Sequence, residues 1–269
     1  MKKLTNLALG TVAVASLFSA TASADHKYSW GNVSLNYLDW DAKTENTHGK
    51  DDFPYIELEA GAGFTWGDLY GFIDFESPDR LFADKDSDKD PSDAHRIAAK
   101  IVGTRKLGET GFSAYGQVYH LSSHKFSVTN VVGGAAYDYR NGGLWIRPWL
   151  GKHYQIQSNG FEGAKSYSGD NGFMGGVTWT YNFKLFGEKF MAAQWHEYEF
   201  KRDGQHYQNE DGSVNEFGDG RSEGHNGAVS IWWHMTDALT TGFQYRYADY
   251  KLGSNAYIDA FIYSIKYNF

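Results

Sequence analysis

Glu57 and Glu59 stand two residues apart. The same spacing joins Tyr70, Phe72 and Asp74, and again Trp145, Arg147 and Trp149. In extended chain a spacing of two puts side chains on one face. Ionised carboxylates accept hydrogen bonds, a guanidinium only donates them, and an aromatic ring offers a flat π-face. With Arg246, these groups suit weak, reversible contact with a small polar solute rather than bond-making. Other chemistries are poorly served. There is no Cys, hence no thiolate site and no disulfide framework. The run Asp84-Lys85-Asp86-Ser87-Asp88-Lys89-Asp90 has interleaved Lys, no Gly at a calcium loop's sixth position and no Glu at its twelfth. It reads as a solvated acidic loop. His120 and His124 are spaced to share a metal, but nothing completes a site.

Faces of this kind need strands. Twelve segments of about ten residues, the length a tilted strand needs to cross a bilayer, lie near 28–39, 54–64, 68–76, 95–104, 111–121, 126–138, 144–156, 172–183, 189–200, 225–235, 239–250 and 257–269. In the last, Tyr257, Asp259, Phe261, Tyr263, Ile265, Tyr267 and Phe269 alternate with Ile258, Ala260, Ile262, Ser264, Lys266 and Asn268. An aromatic face ending at Phe269 fits a lipid-facing closing strand; as a soluble edge it would invite aggregation. Tyr267 and Phe269 are the expected assembly signal, read by the barrel-assembly machinery.

The connections alternate too. Short ones fall near Thr65–Gly67, Arg105–Thr110, Tyr139–Gly143, Lys184–Glu188 and Thr236–Ala238. Longer polar ones fall near Trp40–Phe53, Ser77–Ala94, Gln157–Asn171 and Lys201–Gly224, with shorter members near Ser122–Lys125 and Lys251–Ala256. This is the pattern of periplasmic turns and extracellular loops. The fold class is therefore all-β: a transmembrane antiparallel up-and-down barrel of about 12 strands with both termini on the periplasmic side. A soluble β-sandwich or lipocalin-like barrel shares the period, but its core would have to hold the charged, Gly-rich face.

Composition and the front end agree. Met1-Lys2-Lys3 is basic, an apolar stretch runs from Leu7 to Phe18, and Ala22-Ser23-Ala24 is an A-x-A cleavage site. Residues 1–24 read as a secretory signal and 25–269 as one outer-membrane barrel. Loss of Lys2 and Lys3 takes the net charge from −8 to −10. Aromatics make up 17% of the chain, enough for two interfacial girdles. A mean hydropathy of −0.55 fits strands that turn half their side chains to a polar lumen. The acidic balance gives no support to nucleic-acid binding.

Three stretches resemble the nucleoside-specific channel-forming family of outer-membrane proteins (Tsx/OmpK-like). They are Tyr55-Ile56-Glu57-Leu58-Glu59-Ala60 with Asp68-Leu69-Tyr70-Gly71-Phe72-Ile73-Asp74; the run from Ala228 through Trp232, Trp233 and His234 to Tyr245-Arg246-Tyr247; and Lys266-Tyr267-Asn268-Phe269. The resemblance implies a twelve-stranded monomer with a narrow lumen and passive diffusion of nucleosides, with no cofactor. Ala99-Lys100 replaces the Pro-Arg expected in the fourth strand, and Lys201–Gly224 lacks a clear counterpart.

On this reading the lumen is lined by Glu57, Glu59, Tyr70, Phe72, Asp74, Trp145, Arg147, Trp149 and Arg246. A base can stack on the aromatics, while ribose hydroxyls meet carboxylates and Arg. Acidic lining disfavours anionic nucleotides. Alternatives stay open. Glu57, Glu59, Arg147 and Arg246 can simply pair with one another, and Trp145 and Trp149 can be girdle residues. A structural or adhesive barrel needs no solute, and the long loops can serve phage or toxins. A rim hydrolase is the weakest reading. Ser158-Asn159-Gly160 is similar to the serine motif of outer-membrane phospholipases, but Ile156 stands where their base His belongs, and His153 is five residues away.

Overall fold

Each hydrophobic alternation becomes an antiparallel strand paired to its sequence neighbour. The computed structural model describes residues 25–82, 95–214 and 221–269. The expected signal segment and the Asp84–Asp90 run lie outside these residues. The strands are β1 (His26–Trp40), β2 (Phe53–Phe64), β3 (Gly67–Glu76), β4 (Arg96–Lys106), β5 (Phe112–Ser122), β6 (Phe126–Tyr137), β7 (Tyr139–Asn141), β8 (Leu144–Asn159), β9 (Tyr167–Leu185), β10 (Glu188–Phe200), β11 (Glu223–His234), β12 (Leu239–Asp249) and β13 (Tyr257–Asn268). β7 carries the β6 side onward past Asp138, so the two make one stave. β1 pairs with β13 and β6 with β8, closing a twelve-stave barrel without a free edge.

Closure fixes the two faces. On β13, Phe261, Tyr263, Ile265 and Tyr267 are exposed on the outside, whereas Ile258, Ala260, Ile262 and Ser264 are buried on the inside. β1 meets it in register, Leu35 opposite Ile265 and Tyr37 opposite Tyr263. The Phe269 amide donates to the Gly31 carbonyl at 3.0 Å, carrying the seam to the last residue. At the short-turn end, β9 and β10 join through Phe186 and Gly187, both with positive φ (55° and 87°). That conformation matches hairpin twist, and Gly adopts it without strain. At the other end, helix α1 (Ala42–His48) is capped by the Asp41 carboxylate and by Gly49, and docks on β13 through Asp41 N–H to the Asp259 carbonyl.

One hairpin departs from the sequence expectation. β8 runs to Asn159 rather than 156, and β9 starts at Tyr167 rather than 172, so the Gln157–Asn171 loop shrinks to 160–166. The extension is mostly polar (Gln157, Ser158, Asn159, Ser168, Asp170, Asn171), and the hairpin carries a register shift just before it, between Lys152 and Tyr154. No apolar alternation marks it, because it no longer has one lipid-facing side.

Two packed clusters occupy opposite walls inside the barrel. Val102, Tyr115, Val132, Ala136, Trp149 and Met174 fill the β4–β9 side towards the short turns. Leu38, Phe53, Tyr55, Ala260 and Ile262 fill the β1, β2 and β13 side near the long loops.

Candidate functional site

A continuous lumen of about 3730 Å³ passes between these clusters. All nine residues singled out from the sequence line it, with Tyr28, Trp30, Lys100, Trp195, Glu197, Trp232 and Lys266. Alternation along the strands puts them there. β2 turns Glu57 and Glu59 inward opposite Asp74 and Phe72 of β3, and β8 turns Trp145, Arg147 and Trp149 inward opposite Thr180, Thr178 and Gly176 of β9.

Their surroundings differ. The Glu59 carboxylate accepts from Asn32 Nδ2 (3.0 Å), Tyr70 OH (2.8 Å) and Lys266 Nζ (3.0 Å). Lys266 also lies 3.5 Å from Glu57 and 4.3 Å from the centroid of the Trp232 ring. Tyr70 sits between Trp30 and Phe72, with ring centroids 6.2 and 6.4 Å away. Trp30 and Tyr28 keep 40% and 48% of their surface accessible within this wall. Together they form an aromatic strip beside a carboxylate–ammonium pair.

Arg147 is tied down. Nε donates to Asp138 Oδ1 (2.9 Å), Nη1 to Asp68 Oδ1 (2.8 Å) and Nη2 to Asp138 Oδ2 (3.0 Å). Trp145 Nε1 donates to the same Asp138 (2.7 Å), and its ring lies 5.0 Å from the guanidinium carbon. Trp149 stacks on Tyr115 at 4.8 Å and is 7% exposed. On this side the charges do pair with one another, and the aromatic faces are covered.

Arg246 and Asp74 are different. Arg246 Nε and Asp74 Oδ1 are buried atoms without a hydrogen-bond partner, and the guanidinium stands 5.8 Å from the Trp195 ring. Buried polar groups of this kind are costly unless something satisfies them. Both residues border the lumen and are only partly buried as whole side chains.

Sequence reading missed Lys100, Glu197, Trp195, Tyr28, Trp30 and Lys266 as lining residues. Parity alone could have found Lys266, which lies on the inward face of β13. Lys100 and Glu197 meet across the barrel 97 residues apart, and no local pattern reports that.

The hydrolase constellation does not assemble. Along β8, Val132 faces His153 and Ser127 faces Ser158. By alternation His153 points inward and Ser158 outward. His153 is fully buried against Asn130 Oδ1 at 3.1 Å. His120 is hydrogen-bonded to Thr129 Oγ1 (2.8 Å), and among the described residues no three His, Asp or Glu side chains cluster as metal ligands.

The sequence profile of the nucleoside-specific channel-forming protein, Tsx, matches residues 35–269. Among solved structures, the NanC porin is similar, with a TM-score of 0.50 at 9% identity over 87% of this chain and 98% of its own. The translocator domain of autotransporter NalP from Neisseria meningitidis superposes with a TM-score of 0.47 at 9% identity, covering 100% and 98%. The KdgM porin does so with a TM-score of 0.44 at 8% identity, covering 88% and 99%. The NanC likeness shows the barrel fold and nothing finer.

Proposed function

The chain belongs to the nucleoside-specific channel-forming family, and from that premise we propose how its lumen passes solute. It is an outer-membrane channel for small solutes, with nucleosides favoured. The base slides along the aromatic strip of Tyr28, Trp30, Tyr70 and Phe72, while the ribose exchanges hydrogen bonds with Asp74, Arg246, Glu57 and Glu59. The observation that supports this is the accessible aromatic strip beside the charged side chains that line the same lumen. Stacking contributes roughly 1–3 kcal/mol per base. That is enough to favour nucleosides over sugars yet weak enough for release, which conduction requires.

The remaining assignments rest on the same reading. Trp145, Arg147 and Trp149 stiffen the wall and leave solute contact to their neighbours. Residues 1–24 direct export and are removed, leaving 25–269 as a monomer. Tyr267, exposed on the outer face of β13, and Phe269, exposed just past its end, are what the assembly machinery engages. The long loops offer phage or toxins a surface. Transport needs no cofactor and no catalytic residue.

Liposome swelling with the refolded barrel tests this, comparing adenosine and thymidine with sugars and amino acids of similar size. Faster nucleoside entry, with ion current blocked by added nucleoside, is expected. Equal entry for all solutes would withdraw the nucleoside preference. No entry at all would leave a closed structural barrel.

A further inference from the structure

One ion pair divides the lumen. Lys100 Nζ on β4 meets Glu197 Oε1 on β10 at 2.5 Å. In the closed ring, the staves between β4 and β10 number four on one side (β5, β6 with β7, β8, β9) and six on the other (β3, β2, β1, β13, β12, β11). The pair therefore spans nearly a full diameter. It is also the end of a longer chain: Gln117 Nε2 donates to the same Glu197 oxygen (3.2 Å), and Tyr115 OH donates to Gln117 Oε1 (2.6 Å). Gln117 further touches Met174 Sδ at 3.8 Å, and Lys251 holds the other carboxylate oxygen from 4.0 Å.

The two arcs differ in filling. Behind the bridge, in the four-stave arc, Val132 and Met174 are 1% exposed and Gln117 is 3% exposed. Arg147 on β8 reaches Asp68 on β3 and bounds the same arc from the short-turn side. In the six-stave arc the packed Leu38, Phe53, Tyr55, Ala260 and Ile262 lie towards the long loops, whereas Glu57, Glu59, Tyr70, Phe72, Asp74, Arg246 and Lys266 are only partly buried.

From this we infer that the Lys100–Glu197 bridge, rather than the circumference of the barrel, sets the bore. It is a strut that walls off the packed arc and confines solute to the β11–β3 side. Lys100 and Glu197 are thus size-determining residues of the channel. The Coulombic partner keeps each long side chain extended across the lumen. Without Glu197, Lys100 is free to fold back along its own wall; without Lys100, Glu197 is left to Gln117 and Lys251 and no longer bridges to β4. The strut rests on the channel reading above, but its test is separable from nucleoside preference.

The test is single-channel conductance of Lys100→Ala, Glu197→Ala and the double variant in planar bilayers, with swelling rates for a disaccharide alongside. Each single variant is expected to raise conductance by about twofold and to admit the disaccharide, because either end alone cannot bridge the lumen. The double variant is expected to add little more, the non-additivity of two groups acting as one. Lys100→Met/Glu197→Gln keeps side-chain volume and removes the charges, so it serves where truncation harms folding; its conductance is also expected to rise. Conductance within about a tenth of wild type in both double variants, from barrels that keep heat-modifiable migration, would overturn the strut. So would simple additivity of the two single variants, which would leave two independent lining side chains. A barrel that shows the expected changes yet passes sugars as fast as nucleosides would sink the nucleoside reading and leave the strut standing.

Discussion

Arg147 and Arg246 both face the lumen, and their neighbours give them opposite duties. Arg147 is 6% exposed and donates to both Asp68 and Asp138. Truncating one partner of a buried ion pair strands the others, at a cost of about 3–5 kcal/mol. Arg147→Ala should therefore lower barrel stability by that order in urea titration in detergent. Arg147→Lys should recover only part of it, since an ammonium cannot span two carboxylates as a guanidinium fork does. Arg246 has a buried Nε without a partner, so its removal frees no hydrogen-bonded neighbour of that atom. Arg246→Ala is expected to leave the unfolding midpoint near wild type. It should weaken nucleoside block of ion current about tenfold, the equivalent of one charged hydrogen bond. Trp30→Ala should weaken block by a similar factor through lost stacking. If Arg246→Ala unfolds the barrel while Arg147→Ala only changes block, the two assignments are reversed.

The segment after β10, residues 201–214, shows how a long loop is held without a hydrophobic core of its own. Arg202, with a side chain 1% exposed, donates to Glu199 Oε2 (2.7 Å) and to the Tyr250 carbonyl (2.9 Å). Asn171 Oδ1 receives the Asp203 amide at 3.0 Å. His206 is buried in a short 3-10 turn, its Nε2 3.2 Å from the Asp170 carbonyl, its Nδ1 without a partner. Burial lowers its pKa below the ordinary histidine value, outweighing the Asp170 carbonyl and the Asp203 charge. A depressed folded-state pKa means the neutral ring stabilises the loop above the unfolded value, near 6.5, and that this stability is lost as pH falls through the lower folded value. Tryptic cleavage at Lys201 and Arg202 should thus accelerate between pH 7.5 and 5, about tenfold or less, once corrected for the protease's own pH profile. In His206→Asn the acceleration should vanish; its persistence would assign the pH response elsewhere. Its length and polarity are legible in the sequence, but its ties to Asp170, Asn171 and Tyr250 are not. The strands were legible because lipid imposes apolar alternation, clearest at Leu239–Tyr247 and Tyr257–Phe269. The polar extension of β8 and β9 escapes for the same reason, since lipid does not select it. The nine lining residues could be placed by parity. The partners that separate Arg147 from Arg246 could not, because Asp68 comes from across the ring.

At the scale of the whole molecule the barrel is a protein turned inside out, and two adjacent residues suffice to test it. Phe243 on β12 is 48% exposed on the outer wall, beside Tyr263 of β13 and Ile231 of β11. It also borders a shallow external groove with Leu35, Trp233 and Ile265. Gln244, the next residue, lines the lumen. In a soluble barrel Phe243→Arg would be the benign change, placing a charge on a wet surface, and Gln244→Arg the damaging one. In a membrane the order inverts. Arg on the lipid face near mid-bilayer costs about 2–4 kcal/mol, whereas a lumen substitution changes selectivity rather than stability. Phe243→Arg should therefore lower stability in lipid bilayers by that amount, measured by urea unfolding from vesicles, with conductance per surviving channel unchanged. Gln244→Arg should keep the unfolding curve and shift the reversal potential in a salt gradient towards anions, because it adds a cation near Arg246 on the conducting side of the strut. Both outcomes follow from a single property, the parity that the closed seam between β1 and β13 imposes on every strand. A one-residue slip anywhere in the ring would exchange the two faces of that strand. If Gln244→Arg destabilises as much as Phe243→Arg, the register of β12 is wrong, and with it the assignment of Arg246 to the lumen.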